Sequence, residues 1–355
     1  MIGERISDKT GRSRRDAGPT ATVEDVARLA GVSRATASRV VNDSPRVSPE
    51  ARDAVRRAIE ELGYVPNRAA RSLMTRRSDS IGVVILEPAT RLFGDPFFGH
   101  LLLGINAGLA DSDVQLVLLM AQDRREEARV EKYLDAGHVD GAILVGPHGD
   151  DQLPTRLARR RVPIVLSGRP LGGGGLSYVD SDNRNGARMA VSHLVAGGRR
   201  SIATIHGTLD LGSARDRLDG YRDALTDAGY VLDATLEAAG NYSPAMAAEA
   251  MRVLLDRHPD LDGLFAASDS MAAAAVGVLL DAGRRIPEDV AVVGFDDTPV
   301  AMTVRPTLST VRQPIEAMGR EMSRLLLRRI DDPADAPSQV VFATELVVRE
   351  SSVVS

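Results

Sequence analysis

In the stretch GVSRATASRVVNDSPRVSPE, residues 31–50, the hydroxyls of Ser33, Thr36 and Ser38 stand beside the guanidinium groups of Arg34 and Arg39. Between them Val32, Ala37 and Val40 recur at helical spacing. A short helix that buries these small apolar residues turns the hydroxyls and guanidiniums outward. Such groups suit phosphate oxygens, and Arg can meet a guanine edge bidentately in the major groove. The same pattern also suits a small bundle with a solvated face. The whole chain carries −5, but residues 1–77 carry +6 and the remainder −11. A basic head on an acidic body points to a polyanion partner, or to a solvated face with a disordered tail.

A second group of polar and aromatic residues follows strand-like runs farther along. Asp95, Phe97 and Phe98 follow IGVVIL, Arg169 follows VPIVLSG, and Ser213 and Arg217 follow SIATIHG. Tyr242 sits in a loop after a short strand, Ser268 and Asp269 follow GLFAA, Asp296 follows VAVVGF, and Gln313 ends STVRQ. Open α/β sheets bind ligands at the carboxyl ends of their strands. Acids, Arg and Gln that converge there can bridge sugar hydroxyls, while rings stack on the apolar sugar face. Singly, each has another reading: a cap, a turn, an interdomain ion pair or, for the two Phe, plain core. The Asp296–Asp297 pair could hold a metal, although strand-end pairs more often meet ligand hydroxyls. No G-x-x-x-x-G-K-[ST] or G-x-S-x-G occurs, and the six His lack metal-ligand spacing. The expectation is therefore a binder, with no catalytic residue, metal or cofactor.

The positioning elements can be read from periodicity. Residues 1–20 are polar and aperiodic, which predicts a disordered basic tail. Thr22 is a plausible N-cap with Asp25 three residues on, and Val23, Val26, Ala27 and Ala30 share a face. Gly31 breaks the helix, and a second helix runs from Ser33 or Arg34 to Val41 or Asn42. Ser48 and Pro49 open a third, with Ala51, Val55, Ala58, Ile59 and Leu62 inward and Gly63 at its end. Ala27, Gly31, Val32, Ala37 and Val40 have the spacing of a helix-turn-helix, with Ala27 small for close approach. Residues 68–75 predict a linker helix too short to stand alone. From Ile81 near-continuous apolar strands alternate with amphipathic helices, in one set at 81–168 and another at 201–297. That texture predicts two doubly wound parallel-sheet subdomains. The tail adds STVRQP, a helix over 314–330 and one last strand, VVFATELVV; GGGG at 172–175 reads as a flexible loop. The absence of Cys excludes disulfides and suits a reducing cytoplasm. The N-terminus has no apolar core of a secretory signal, and no apolar run reaches membrane-spanning length, so no membrane partner is expected.

TVEDVARLAGVSRATASRVVN and VSPEARDAVRRAIEELGYVPNRAARSL together resemble the headpiece of the LacI/GalR-type bacterial repressors. DPFFGHLLLGI, VDSDNRNGARMAVSHL, SARDRLDGY, SDSMAAAAVGVL, IPEDVAVVGFDD and STVRQP resemble that family's periplasmic-binding-protein-like effector domain. The resemblance implies a small all-α helix-turn-helix headpiece plus an α/β effector domain. The expected parts are the tail at 1–20, headpiece at 21–66 and hinge linker at 67–78. An N-subdomain follows from 79–178 with 309–337, and a C-subdomain from 179–308 with 338–355. By the same resemblance Arg34 and Ala35 choose bases, Arg39 reaches a base edge, and Ser33, Thr36 and Asn42 rest on phosphates. Leu73 matches the residue that wedges between minor-groove base steps. Implied too are a homodimer on a palindromic operator, a sugar effector in the cleft and control of operator affinity across the dimer. No leucine-heptad tail of the kind that makes some relatives tetrameric follows the last strand, which favours the dimer. Gly168 stands where sugar binders of this fold often place Asp, Ser268 where many place Asn, and Leu211 where purine-binding members place Arg. These departures argue against a purine. A solute-binding receptor or sugar-modifying enzyme would share the body, but the head argues against export and no acid–base pair is evident.

Overall fold

The computed structural model describes residues 21–41, 46–65, 77–149, 151–173 and 175–353. Two compact units emerge, Met1–Arg76 and Arg77–Ser355. The tail at 1–20, Asn42, Leu73 and residues 66–76 of the linker lie outside the described residues.

Helix α1 (Val23–Leu29) opens with a reciprocal capping box. Asp25 N donates to Thr22 Oγ1 at 3.3 Å and Thr22 N donates to Asp25 Oδ2 at 3.0 Å. Gly31 turns the chain at φ 64°, a left-handed conformation open to glycine, and α2 (Arg34–Val41) follows. Helix α3 (Pro49–Leu62) starts at Ser48, whose hydroxyl accepts from Ala51 N at 3.3 Å, and stops at left-handed Gly63. Val26, Ala27, Ala37, Val40, Val55 and Ala58 form the core, with Val32 and Ile59 against it. Leu62, expected inward, is instead 36% exposed, because α1 and α2 are too short to cover the last turn of α3.

The second unit holds two six-stranded sheets. β1 (Ser80–Ile85), β2 (Gln115–Met120), β3 (Gly141–Val145), β4 (Ile164–Ser167) and β5 (Tyr178–Ser181) build the first. β6 (Ile202–His206), β7 (Glu237–Ala239), β8 (Gly263–Ala266), β9 (Ala291–Asp296) and β10 (Ser309–Arg312) build the second. The chain then returns to add β11 (Gln339–Phe342) to the first and β12 (Glu345–Val347) to the second. The orders are β11-β5-β4-β3-β1-β2 and β12-β10-β9-β8-β6-β7, and among the described residues only β12 runs antiparallel. β3 and β9 are buried throughout, since helices cover both faces. One face of the first sheet packs under α4 (Ala89–Gly94), α5 (Pro96–Ala107) and the late α13 (Ile315–Asp331), the other under α6 (Arg124–Asp135) and α7 (Leu153–Arg159). In the second sheet α8 (Asn183–Ala196) and α9 (Gly212–Asp227) cover one face, α10 (Pro244–Arg257) and α11 (Asp269–Asp281) the other, with α12 (Val300–Thr303) nearby.

Three boundaries differ from the sequence expectation. β5 extends to Ser181 in the first sheet, β10 pairs with β9 in the second, and β11 pairs with β5 in the first. The crossings therefore lie near Asp182, Gln313 and Ala343–Thr344 instead of at 178, 308 and 337. The run VVFATELVV, read as one strand, divides between the sheets at that third crossing. Backbone pairing decides the division, with Gln339 opposite Tyr178 and Leu346 opposite Val311.

Close helix packing gives a direct check. A Cβ on Gly220 of α9 would lie 2.1 Å from the Arg184 carbonyl oxygen of α8. Both atoms are held by helix backbone, so Gly220→Ala is expected to cost about 1–3 kcal/mol or more through overpacking. Thermal unfolding of the effector domain measures it, and an unchanged midpoint would refute the contact.

Candidate ligand cleft and nucleic-acid interface

Ser33, just before α2, and Arg34, Ala35 and Arg39 on it are exposed, while Thr36 is half-buried. Ser33 Oγ accepts from Thr36 N at 3.1 Å and meets Thr36 Oγ1 at 2.9 Å, so these hydroxyls also order the first turn. Arg34 forms an exposed ion pair with Glu24 of α1. Such an exposed pair is worth at most about 1 kcal/mol. Ala37 and Val40 are the buried side of the same helix.

The strand ends of the two sheets meet around Arg217, which is 5% exposed. Its Nε donates to Asn183 Oδ1 at 2.8 Å, and its Nη1 to the Ala267 carbonyl at 2.6 Å and to Asp296 Oδ1 at 3.4 Å. The guanidinium carbon lies 3.6 Å from the centroid of Phe295. Gln313 Nε2 donates to Asp296 Oδ1 at 2.6 Å and its Oε1 accepts from Ser181 Oγ at 2.8 Å. Asp180 accepts from Arg169 N, Ser181 N and Asn183 Nδ2, all between 2.8 and 2.9 Å. Asp296 and Asp297 take positive φ values of 112° and 56°, and Arg312 and Arg349 each reach Asp297 at 2.6 Å. That strained turn, pinned by two guanidiniums, aims Asp296 at Arg217.

Asp95, Phe97, Phe98, Arg169, Ser213, Arg217, Tyr242, Asp296 and Gln313 line one inner cavity of about 80 Å³, as the sequence suggested. Asp95 caps α5 by accepting from Phe97 N at 3.1 Å, and the two Phe rings meet edge-on at 5.4 Å. Arg169 turns its guanidinium to Asp216, at 2.6 and 2.7 Å. Ser268 and Asp269 are not brought to this cavity. Ser268 caps α11, and Asp269 is buried against Thr298 N at 2.7 Å and Thr310 Oγ1, so it braces the C-subdomain.

The sequence reading missed several residues. Asp180 and Asn183 line the inner cavity, at the end of a strand that was not recognised. Glu87 and Arg91 follow β1, where the strand-end rule applied to them as much as to Asp95. A wider cavity of about 880 Å³ adjoins, sharing Glu87, Arg91, Asp95 and Tyr242 and adding His148, Asn241 and Glu131 among others. His148 Nδ1 meets Asp210 Oδ2 at 2.8 Å across the cleft. Tyr242 Oη and Arg91 Nε are buried without a hydrogen-bond partner.

Burial raises the carboxyls of Asp95, Asp180 and Asp296 above the ordinary Asp value. For Asp296 burial outweighs Arg217, and Asp95 pushes the same way, so the group sits at about 7.

The sequence model described as bacterial regulatory proteins, lacI family, matches residues 22–67, and that of a periplasmic binding protein-like domain matches residues 191–352. The chain is 49% identical over 332 residues to the HTH-type transcriptional regulator CelR of Thermobifida fusca, spanning 93% of this chain and 98% of the relative. A solved transcriptional regulator CelR–cellobiose complex matches at 47% identity and TM-score 0.76, over 93% of this chain and 99% of that one. The lac repressor dimer bound to operator and the anti-inducer ONPF matches at 28% identity and TM-score 0.83, over 95% and 100%.

The Asp296 shift carries a signed expectation. Its raised folded value lets the native state hold a proton that the unfolded chain has released. The stabilisation is full below about 4 and is lost as pH rises through about 7. Asp296→Asn removes this dependence. Thermal unfolding of both proteins from pH 4 to 8 should show the wild type losing stability relative to the variant as pH rises. Parallel curves would contradict it.

Proposed function

Because this chain belongs to the lacI family of bacterial regulatory proteins, we infer that it is a DNA-binding transcriptional regulator whose operator affinity answers to a sugar. The observation that carries this reading is the joint presence, on one chain, of a guanidinium-bearing helix-turn-helix and a cleft of converging Arg, Asp, Gln and aromatic side chains. The relative whose complex holds cellobiose supports a glucose disaccharide or a short oligomer of it as effector. The cleft binds and does not catalyse, since its acids are engaged by Arg217, Gln313 and backbone amides.

Two copies act on a palindromic operator, because one headpiece buries too little surface for strong specificity and twofold half-sites supply it. Arg34, Ala35 and Arg39 read bases, and Ser33, Thr36 and Asn42 rest on phosphates. Ala35 is short enough only to touch a thymine methyl, so the two Arg carry the discrimination. Leu73 serves as the minor-groove wedge. Residues 67–78 carry the signal between headpiece and effector domain. A duplex DNA partner places the protein in the cytoplasm, and no helix among the described residues is long and apolar enough to cross a membrane. The subdomains move as hinged lobes on the effector, and a coupling of about 1–3 kcal/mol shifts operator affinity by fivefold or more.

Gel shifts with DNA from the region upstream of the gene, with and without cellobiose, test the reading. A specific complex whose affinity moves about tenfold with the sugar is expected. No preference over random competitor at moderate salt would end it. Arg34→Ala should cost roughly 1–3 kcal/mol at one base position and relax selection there. Uniform weakening on all sequences would assign Arg34 to the phosphates instead.

A further inference from the structure

Arg91 stands where the cleft narrows. It belongs to α4, on the first sheet's side, and its guanidinium carbon lies 4.1 Å from the centroid of Tyr242, which comes from the second. Phe98 lies 5.5 Å away on the Arg91 side, and Arg91 Nη1 bonds the buried carboxylate of Glu87. The two cavities share this stack as their common wall. Ligand pockets commonly span about 300–1,000 Å³. The outer cavity, at about 880 Å³, lies in that range, and the inner one, at about 80 Å³, falls well below it. A sugar ring therefore reaches Asp180 and Asp296, which line the inner cavity and not the outer one, only if the stack opens.

What opens it is written in the same atoms. Tyr242 is 6% exposed, and its hydroxyl and Arg91 Nε are buried without partners. A ring laid on Tyr242 can supply hydroxyls to both. Its apolar face then replaces the guanidinium on the aromatic ring.

We propose that Arg91 is a length-selecting residue: its guanidinium holds the Tyr242 face against a single sugar ring and yields it to a linear oligosaccharide. This rests on the reading of the cleft as a sugar site. One ring offers only an exchange of one stacking partner for another. Further rings gain contacts in the outer cavity, which Gln122, Arg124, Glu131 and Arg156 line with hydrogen-bonding groups. Arg91 also lines that outer cavity, so the displaced guanidinium bonds the hydroxyls of the further rings, and the cost of moving it is returned only by an oligosaccharide.

Calorimetric titration of the full-length protein with glucose, cellobiose and cellotriose tests this. The wild type should favour the two oligosaccharides over glucose by a hundredfold or more. Arg91→Ala should tighten glucose binding at least tenfold and change cellobiose and cellotriose binding less than threefold, so that the preference contracts. Glu87→Gln with Arg91→Ala, which leaves no unpaired buried carboxylate, should contract it equally and stands in if the single variant fails to fold. Arg91→Lys, charged but without the planar stack, should fall between. If glucose binding stays unchanged, or weakens together with the oligosaccharides, the selecting role is refuted. If the wild type binds none of the three sugars, the reading of the cleft itself fails, and the proposal falls with it.

Discussion

A buried guanidinium needs partners, and those that Arg217 takes tie the ends of β8 and β9 to the start of α8. A lone buried charge is costly, and truncating one member of a buried pair typically costs about 3–5 kcal/mol. Arg217 is matched by Asn183, the Ala267 carbonyl, Asp296 and the face of Phe295. Those partners come from α8, the end of β8 and the end of β9. To satisfy one side chain, the strand ends must sit in a single arrangement. That arrangement is also the floor of the cleft, so structure and recognition share the same bonds.

The floor lies on the crossings between the sheets. Ser181 precedes the first and Gln313 marks the second, and a hydrogen bond joins them. Gln313 continues to Asp296 and hence to Arg217. Thr344, at the third crossing, donates to the Asp182 carbonyl at the first. Any rotation of one subdomain on the other would have to turn about these segments. A ligand that bonds Asp296 or Asp180 therefore touches the axis directly. It need not transmit force through a long chain of side chains, because Asp180 lies two residues before the first crossing and Asp296 is bonded to Gln313 at the second.

Much of this was legible in the sequence where local chemistry decides the outcome. Thr22 with Asp25, Ser48 with Pro49, and glycines at 31 and 63 are caps and breakers whose effect is settled within one turn of helix, and each acts as its residue type demands. Continuous apolar runs announced the parallel strands for the same reason. The strand-end rule found Arg217, Asp296 and Gln313 because it concerns position in the sheet. It also selected Ser268 and Asp269, since it names a place and not a direction: the α11 cap turns one inward and Thr298 and Thr310 hold the other. The division of VVFATELVV was illegible, as neither Gly nor Pro marks Ala343–Thr344, and the partner strands that separate its halves lie more than thirty residues away for each. Asp180 and Asn183 were missed because β5 is only four residues long and reads as polar.

Two ion pairs that span the cleft differ in kind from the contacts that build its floor, and the difference suits a switch. Arg169 with Asp216 and His148 with Asp210 join the subdomains, yet the Arg169 and Asp210 side chains are nearly half exposed. Pairs of that sort contribute little, about 0–1 kcal/mol each, so they hold the lobes together only weakly. The floor, by contrast, is buried and expensive to disturb. Two lobes whose mouth is held by weak pairs and whose axis is held by strong ones could part there without unfolding. Their equilibrium would then lie within reach of the few kcal/mol that a ligand's differential contacts provide.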